Sequence, residues 1–108
     1  MRISSLLIVA PLVTAARPYR AGTVELCADT QYKNCKTMGV YAKYLDKCED
    51  VPGGDNLSSV KVDRIVCHFF TDAGCTGSSF SVSDGIPRLT VYQGGKFNDN
   101  VKSYKCEQ

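Results

Sequence analysis

Beyond residue 22, apolar and polar side chains alternate with a period of two. Val60-Lys61-Val62 leads on to Ile65, Cys67 and Phe69, and Phe80-Ser81-Val82-Ser83 and Leu89-Thr90-Val91-Tyr92 show the same pattern. These runs are rich in β-branched and aromatic residues, which predicts short strands with one buried face. Pro52-Gly53-Gly54-Asp55, Asp84-Gly85-Ile86-Pro87 and Gly94-Gly95 separate them and predict turns. No segment after residue 22 keeps helical spacing for three turns. Short strands at short intervals imply an all-β sandwich.

The first residues follow a different pattern. Met1-Arg2 supplies a positive start, Ile3 to Val13 is mostly apolar, and Thr14-Ala15-Ala16 offers small residues for cleavage after Ala15 or Ala16. This predicts a secretory signal at 1–16. A membrane-spanning helix needs about 20 apolar residues, and Pro11 interrupts this run. Residues 17–22 are expected to be a flexible mature start and 23–108 the folded domain, so the mature chain would not insert into a membrane.

The chain has 108 residues and a formal charge of +2, from 13 Lys/Arg against 11 Asp/Glu, which allows one domain. So even a balance argues against nucleic acid or an anionic membrane surface as partner, because either needs a clustered basic field. A monomer is expected.

Cys27, Cys35, Cys48, Cys67, Cys75 and Cys106 all follow the cleavage point, and an even number in an exported chain predicts a disulfide framework. Zinc is disfavoured: the intervening lengths are 7, 12, 18, 7 and 30 residues, with His68 the single histidine. Six cysteines permit 15 pairings. Cys27/Cys35 and Cys67/Cys75 share one spacing, which favours Cys27–Cys35, Cys67–Cys75 and Cys48–Cys106. Cys67–Cys106 across neighbouring strands is the rival.

That spacing also aligns the chain on itself. Leu26-Cys27 falls on Val66-Cys67 and Cys35 on Cys75, while Gly54-Asp55-Asn56-Leu57-Ser58-Ser59 falls on Asn98-Asp99-Asn100-Val101-Lys102-Ser103. The offset grows from 40 to 44, implying a four-residue insertion and two repeats, about 23–62 and 63–106.

The second repeat resembles a βγ-crystallin Greek-key motif. Phe70 and Gly77 fit its signature of an aromatic, six residues and a glycine, and Asn98 to Ser103 fits its Asn/Asp-rich loop ending in serine. The first repeat carries the second signature at 54–59; aligned by cysteines, Thr30 and Thr37 stand where the aromatic and glycine belong, and a frame on Tyr32 and Gly39 breaks that alignment. The first hairpin is therefore expected to be divergent and held by its bridge. The resemblance spans about 23–106 and implies a disulfide-stapled sandwich of two Greek keys. Small cysteine-rich relatives of this fold include secreted microbial proteins, some similar to yeast and streptomycete killer toxins.

The resemblance also implies calcium, held by one repeat's loop oxygens and the other's hydroxyl. One set is intact: Asn98, Asp99 and Asn100 with Ser58. The reciprocal set pairs Gly54, Asp55 and Asn56 with Lys102, a cation that repels calcium. At most one weak site is expected, against the alternative that both loops are plain turns. No other cofactor is implied.

Asn56-Leu57-Ser58 is an N-glycosylation sequon in a predicted surface turn. His68 has no evident nucleophile partner in the sequence, and Glu49-Asp50 has no spacing that implies a catalytic carboxylate pair. Catalysis is therefore not expected. Among the aromatics, most should pack within the fold, with Tyr41 and Tyr44 the expected exceptions. These features point to a small secreted, non-enzymatic binding protein: a microbial, fungal-type effector or toxin-like factor with a protein or cell-surface target. The alternatives are an extracellular structural or stress protein with weak calcium binding, and a hydrolase inhibitor presenting the loop from Asp50 to Asp55.

Overall fold

Alternation places Val24 and Leu26 on one face of a ten-residue strand, β1 (Arg20–Asp29), and both are buried. The remaining strands are β2 (Lys33–Tyr41), β3 (Glu49–Asp50), β4 (Ser59–Asp63), β5 (Val66–Asp72), β6 (Thr76–Val82), β7 (Gly85–Ile86) and β8 (Ser103–Glu107). This computed structural model describes residues 19–52 and 56–108. The expected signal at 1–16, and Gly53, Gly54 and Asp55, lie outside the described residues.

Two antiparallel four-stranded sheets form, in the orders β2-β1-β4-β7 and β3-β8-β5-β6. Strands β1 to β4 make one Greek key and β5 to β8 the other, and each key lends its third strand to the opposite sheet. This exchange explains why neither half buries its apolar face alone. The inward side chains of both sheets form one core, including Val24, Val60, Phe69, Leu89, Phe97 and Val101. Aromatics concentrate in the second half: Phe69 stacks on Phe80 and Tyr104, and Phe97 packs on Phe80 at 4.6 Å.

Four expectations need correction. Residues 20–22 belong to the domain, because Arg20 pairs with Tyr41 and Ala21 is buried. Leu89-Thr90-Val91-Tyr92 is not a strand. Leu89 is fully buried while Val91 is 60% exposed, so the two do not share a face, and Gln93 and Gly94 at positive φ turn the chain into a 3-10 segment, Tyr92–Gly95.

The third concerns the repeat register. Ser59 and Ser103 are both fully buried. Ser59 Oγ donates to the Asp29 carbonyl at 2.6 Å and accepts from the Tyr32 amide at 3.1 Å. Ser103 Oγ donates to the Asp72 carbonyl at 2.6 Å and accepts from the Cys75 amide at 2.9 Å. Asp29 therefore corresponds to Asp72 and Tyr32 to Cys75, an offset of 43. Backbone geometry agrees, since Gln31, Tyr32 and Asn34 have positive φ, as do Gly74, Cys75 and Gly77. On this register Cys27 stands in the place of Phe70, and Asn34 in that of Gly77. Asn tolerates the left-handed region better than most residues, and its side chain bonds to Asp29. The cysteine alignment was displaced by three residues, and the insertion between hairpin and loop is one residue rather than four.

The bridges change accordingly. Cys27–Cys35 ties β1 to β2 within the first hairpin. Cys67 does not pair with Cys75, nor Cys48 with Cys106; the structure holds Cys48–Cys75 and Cys67–Cys106. The reason is strand order: β8 lies beside β5, with Cys67 directly opposite Cys106. The hairpin turn carrying Cys75 lies by the residue preceding β3, which is Cys48. In the other half the corresponding contact is non-covalent, Tyr32 lying against Gly85 at the start of β7.

Candidate functional site

The Asn/Asp loop lies between the 3-10 segment and β8, with both flanks anchored. Phe97 and Val101 are buried on either side of Asn98, Asp99 and Asn100. The Asp99 amide donates to the Leu57 carbonyl at 2.9 Å, which brings the loop against the residue preceding Ser58. Ser58 is buried and fixed through its backbone: its amide donates to the Cys27 carbonyl, and its carbonyl accepts from the Leu89 amide.

Within the loop, Asn98 Nδ2 donates to Asp99 Oδ2 at 3.3 Å and Asn100 Nδ2 donates to the Lys96 carbonyl at 3.4 Å. Asn98 Oδ1 is buried with no hydrogen-bond partner. A buried, unpaired acceptor costs about 1–3 kcal/mol, and an amide oxygen is a ligand type that calcium takes. Asp99 and Asn100 are exposed. The Lys102 amide donates to the Phe70 carbonyl as the Ser58 amide does to Cys27, so Lys102 stands at the position of Ser58 in the other half. Gly54 and Asp55 of the reciprocal loop lie outside the described residues, and Asn56 is exposed.

A groove of about 270 Å³ opens at one edge of the sandwich, lined by Met38, Gly39, Val40, Tyr44, Glu49 and Tyr104. Tyr44 is 44% exposed. Burial, aided by the Glu49 carboxylate, raises the Tyr104 hydroxyl pKa above its ordinary value. In the turn between β1 and β2, the Tyr32 hydroxyl pKa is raised likewise, first by burial and then by Asp84 and Glu25. Tyr41 lies under the Arg20 guanidinium, 5.8 Å from its ring centre, in a contact internal to the domain.

Sequence reasoning missed one arrangement. On the outer face of the second sheet, His68 Nδ1 lies 2.6 Å from Ser81 Oγ and Nε2 lies 2.5 Å from Glu107 Oε2. Thirteen and thirty-nine residues separate these partners from His68. Only the order β8-β5-β6 joins them, so spacing along the chain carries no signal for it. Glu25, Cys27 and Cys35 also cluster, but the two sulfurs are joined in a bridge and are not available to a metal.

No protein-family model matches the chain, and no curated protein matches it. Solved structures do. A βγ-crystallin from Ciona intestinalis is 21% identical with a TM-score of 0.59, covering 81% of this chain and all of that one. A βγ-crystallin domain from Clostridium beijerinckii is 16% identical with a TM-score of 0.60, covering 79% and 97%. IPSE/alpha-1 from Schistosoma mansoni eggs is 16% identical with a TM-score of 0.54, covering 80% and 84%. The chain has the βγ-crystallin fold.

Proposed function

We propose that this chain is a secreted protein that acts by binding rather than by turnover, as a microbial effector or toxin-like factor with a protein or cell-surface target. The observation that carries this reading is the groove at Tyr44. It combines two tyrosine rings, Met38 and a carboxylate in a site with both apolar area and a polar handle, the composition that interfaces favour. The three bridges fit an oxidising, extracellular setting. The test is growth of susceptible microbial cells exposed to the oxidised protein. Dose-dependent inhibition that Tyr44→Ala removes, without loss of folding, is expected. No inhibition, together with loss of a hydrolase's activity on mixing, would replace this reading with that of an inhibitor.

A second reading rests on Asn98 Oδ1. The buried free acceptor, in a loop bonded to the residue preceding Ser58, favours one weak calcium site made of Asn98, Asp99, Asn100 and Ser58. Extracellular modules bind this ion at around 10⁻⁴–10⁻³ M, so millimolar calcium is needed. At a hundredfold excess over Kd the native state gains about 2.7 kcal/mol. Ser58→Ala is expected to abolish the melting shift, and Lys102→Ser to add a second site. Two equal, tight sites in the unmodified protein, measured by calorimetry, would contradict the role given to Lys102.

A further inference from the structure

We propose that Ser81 is an activated nucleophile that accepts acyl groups from activated esters, with His68 as its base and Glu107 as the group that fixes the base. The three side chains stand in a row across adjacent strands β6, β5 and β8. His68 pairs directly with Ser81 on one side, and Glu107 reaches its ring from the other. With His68 neutral, the state in which it can act as a base, the chemistry of its two partners fixes the protons. An ionised carboxylate only accepts, so Nε2 of a neutral His68 must carry the hydrogen and donate it to Glu107. Nδ1 then holds a free lone pair, and the Ser81 hydroxyl must donate to it at 2.6 Å. This is the hydroxyl–imidazole–carboxylate relation of activated serines, with the two ring nitrogens exchanged.

Ser81 is exposed, and the His68 side chain is 29% exposed, so a substrate reaches the hydroxyl without a conformational change. In the step, Ser81 Oγ bonds to the acyl carbon while its proton passes to His68 Nδ1. The bond from the acyl carbon to the aryloxy oxygen breaks, and the departing aryloxide takes the proton from His68. The products are an O-acyl serine and a phenol. None of the described contacts supplies a pair of amide donors above Ser81 for the oxygen of the intermediate. The gain is therefore limited to general-base assistance, about 10²–10⁴-fold, and the substrate class to esters with good leaving groups. The acyl group accumulates on the protein, one per chain, so the reaction is an attachment and not a turnover.

The probe is p-nitrophenyl acetate added to the oxidised protein, with the acetyl group located by peptide mapping. Rapid acetylation of Ser81 is expected, slowed at least about 100-fold in His68→Gln. Glu107→Gln keeps an acceptor but removes the charge, and should give an intermediate rate. Lys105 faces His68 from the neighbouring strand and reacts independently, so lysine acetylation should be unchanged in every variant. All three side chains lie on the outer face, and near-ultraviolet dichroism confirms that the variants fold. Acetylation confined to lysines, or a Ser81 rate unaffected by His68→Gln, would overturn the proposal.

Discussion

Replacing Cys67 and Cys106 together by alanine is expected to give one of the largest losses of stability of any change in this domain. The bridge closes a loop with a sequence separation of 39, and removing such a constraint from the unfolded chain costs about 4 kcal/mol. Both sulfurs are also buried in the core, Cys67 completely, so alanine leaves a void as well, adding roughly 1 kcal/mol or more. The fold itself supplies the control. Cys67 opposite Cys106 corresponds to Val24 opposite Val62 in the first half, where a buried valine pair fills the same cross-strand position. Cys67→Val with Cys106→Val should therefore fold, losing the loop term but keeping most of the packing. Urea unfolding of the two double variants measures the difference. Equal stability of the Val and Ala pairs would mean that the two positions are not equivalent.

Ser103→Ala should cost more than its small size suggests. The hydroxyl satisfies two buried backbone groups at once, the Asp72 carbonyl and the Cys75 amide. Its removal leaves both without their partner, at about 1–3 kcal/mol for each group that water does not reach. It also frees the turn that holds Cys75, although Cys48–Cys75 limits how far that turn can move. Ser59→Ala removes the same pair of bonds from Asp29 and Tyr32. There the turn is held at the exchanged strand by non-covalent contacts, Tyr32 against Gly85 and the Gln31 amide donating to the Pro87 carbonyl at 2.8 Å. The expected order is therefore that Ser59→Ala loosens its hairpin more than Ser103→Ala does, as amide exchange at Tyr32 and Cys75 would show. The reverse order would show that the bridge does not restrain the second turn.

The strands that the sequence displays best are those with a long two-residue alternation and β-branched or aromatic inward residues. Val60 to Val62, Cys67 to Phe69 and Phe80 to Val82 fall in β4, β5 and β6. The terminal serines of the two Asn/Asp loops are equally legible, because the pattern that marks them is the one the fold uses to tie down its hairpins. The cysteines misled for a definite reason. A disulfide between strands depends on which strands are neighbours, and spacing along the chain does not record that. Cys27 and Cys67 share a spacing to the next cysteine, yet one stands at the place of Phe70 and the other at the place of Val24. In the first hairpin a bridge has replaced the aromatic residue and Asn34 the glycine, so a signature written in Phe and Gly finds neither there. Leu89 to Tyr92 imitates a strand over four residues, too few for alternation to outweigh the left-handed turn that follows at Gln93 and Gly94. At the loop, the residue types pointed to Asn98 and Ser58. The burial of Asn98 Oδ1 and the bond from the Asp99 amide to Leu57 depend on tertiary packing and were not legible.

The register of the two repeats is the centre of this account, and the bridge pattern of the oxidised protein tests it most directly. Proteolysis without reduction, followed by mass spectrometry of the linked peptides, should yield Cys27–Cys35, Cys48–Cys75 and Cys67–Cys106. Linked peptides joining Cys67 to Cys75 and Cys48 to Cys106 would restore the cysteine-based alignment and contradict the strand order described above.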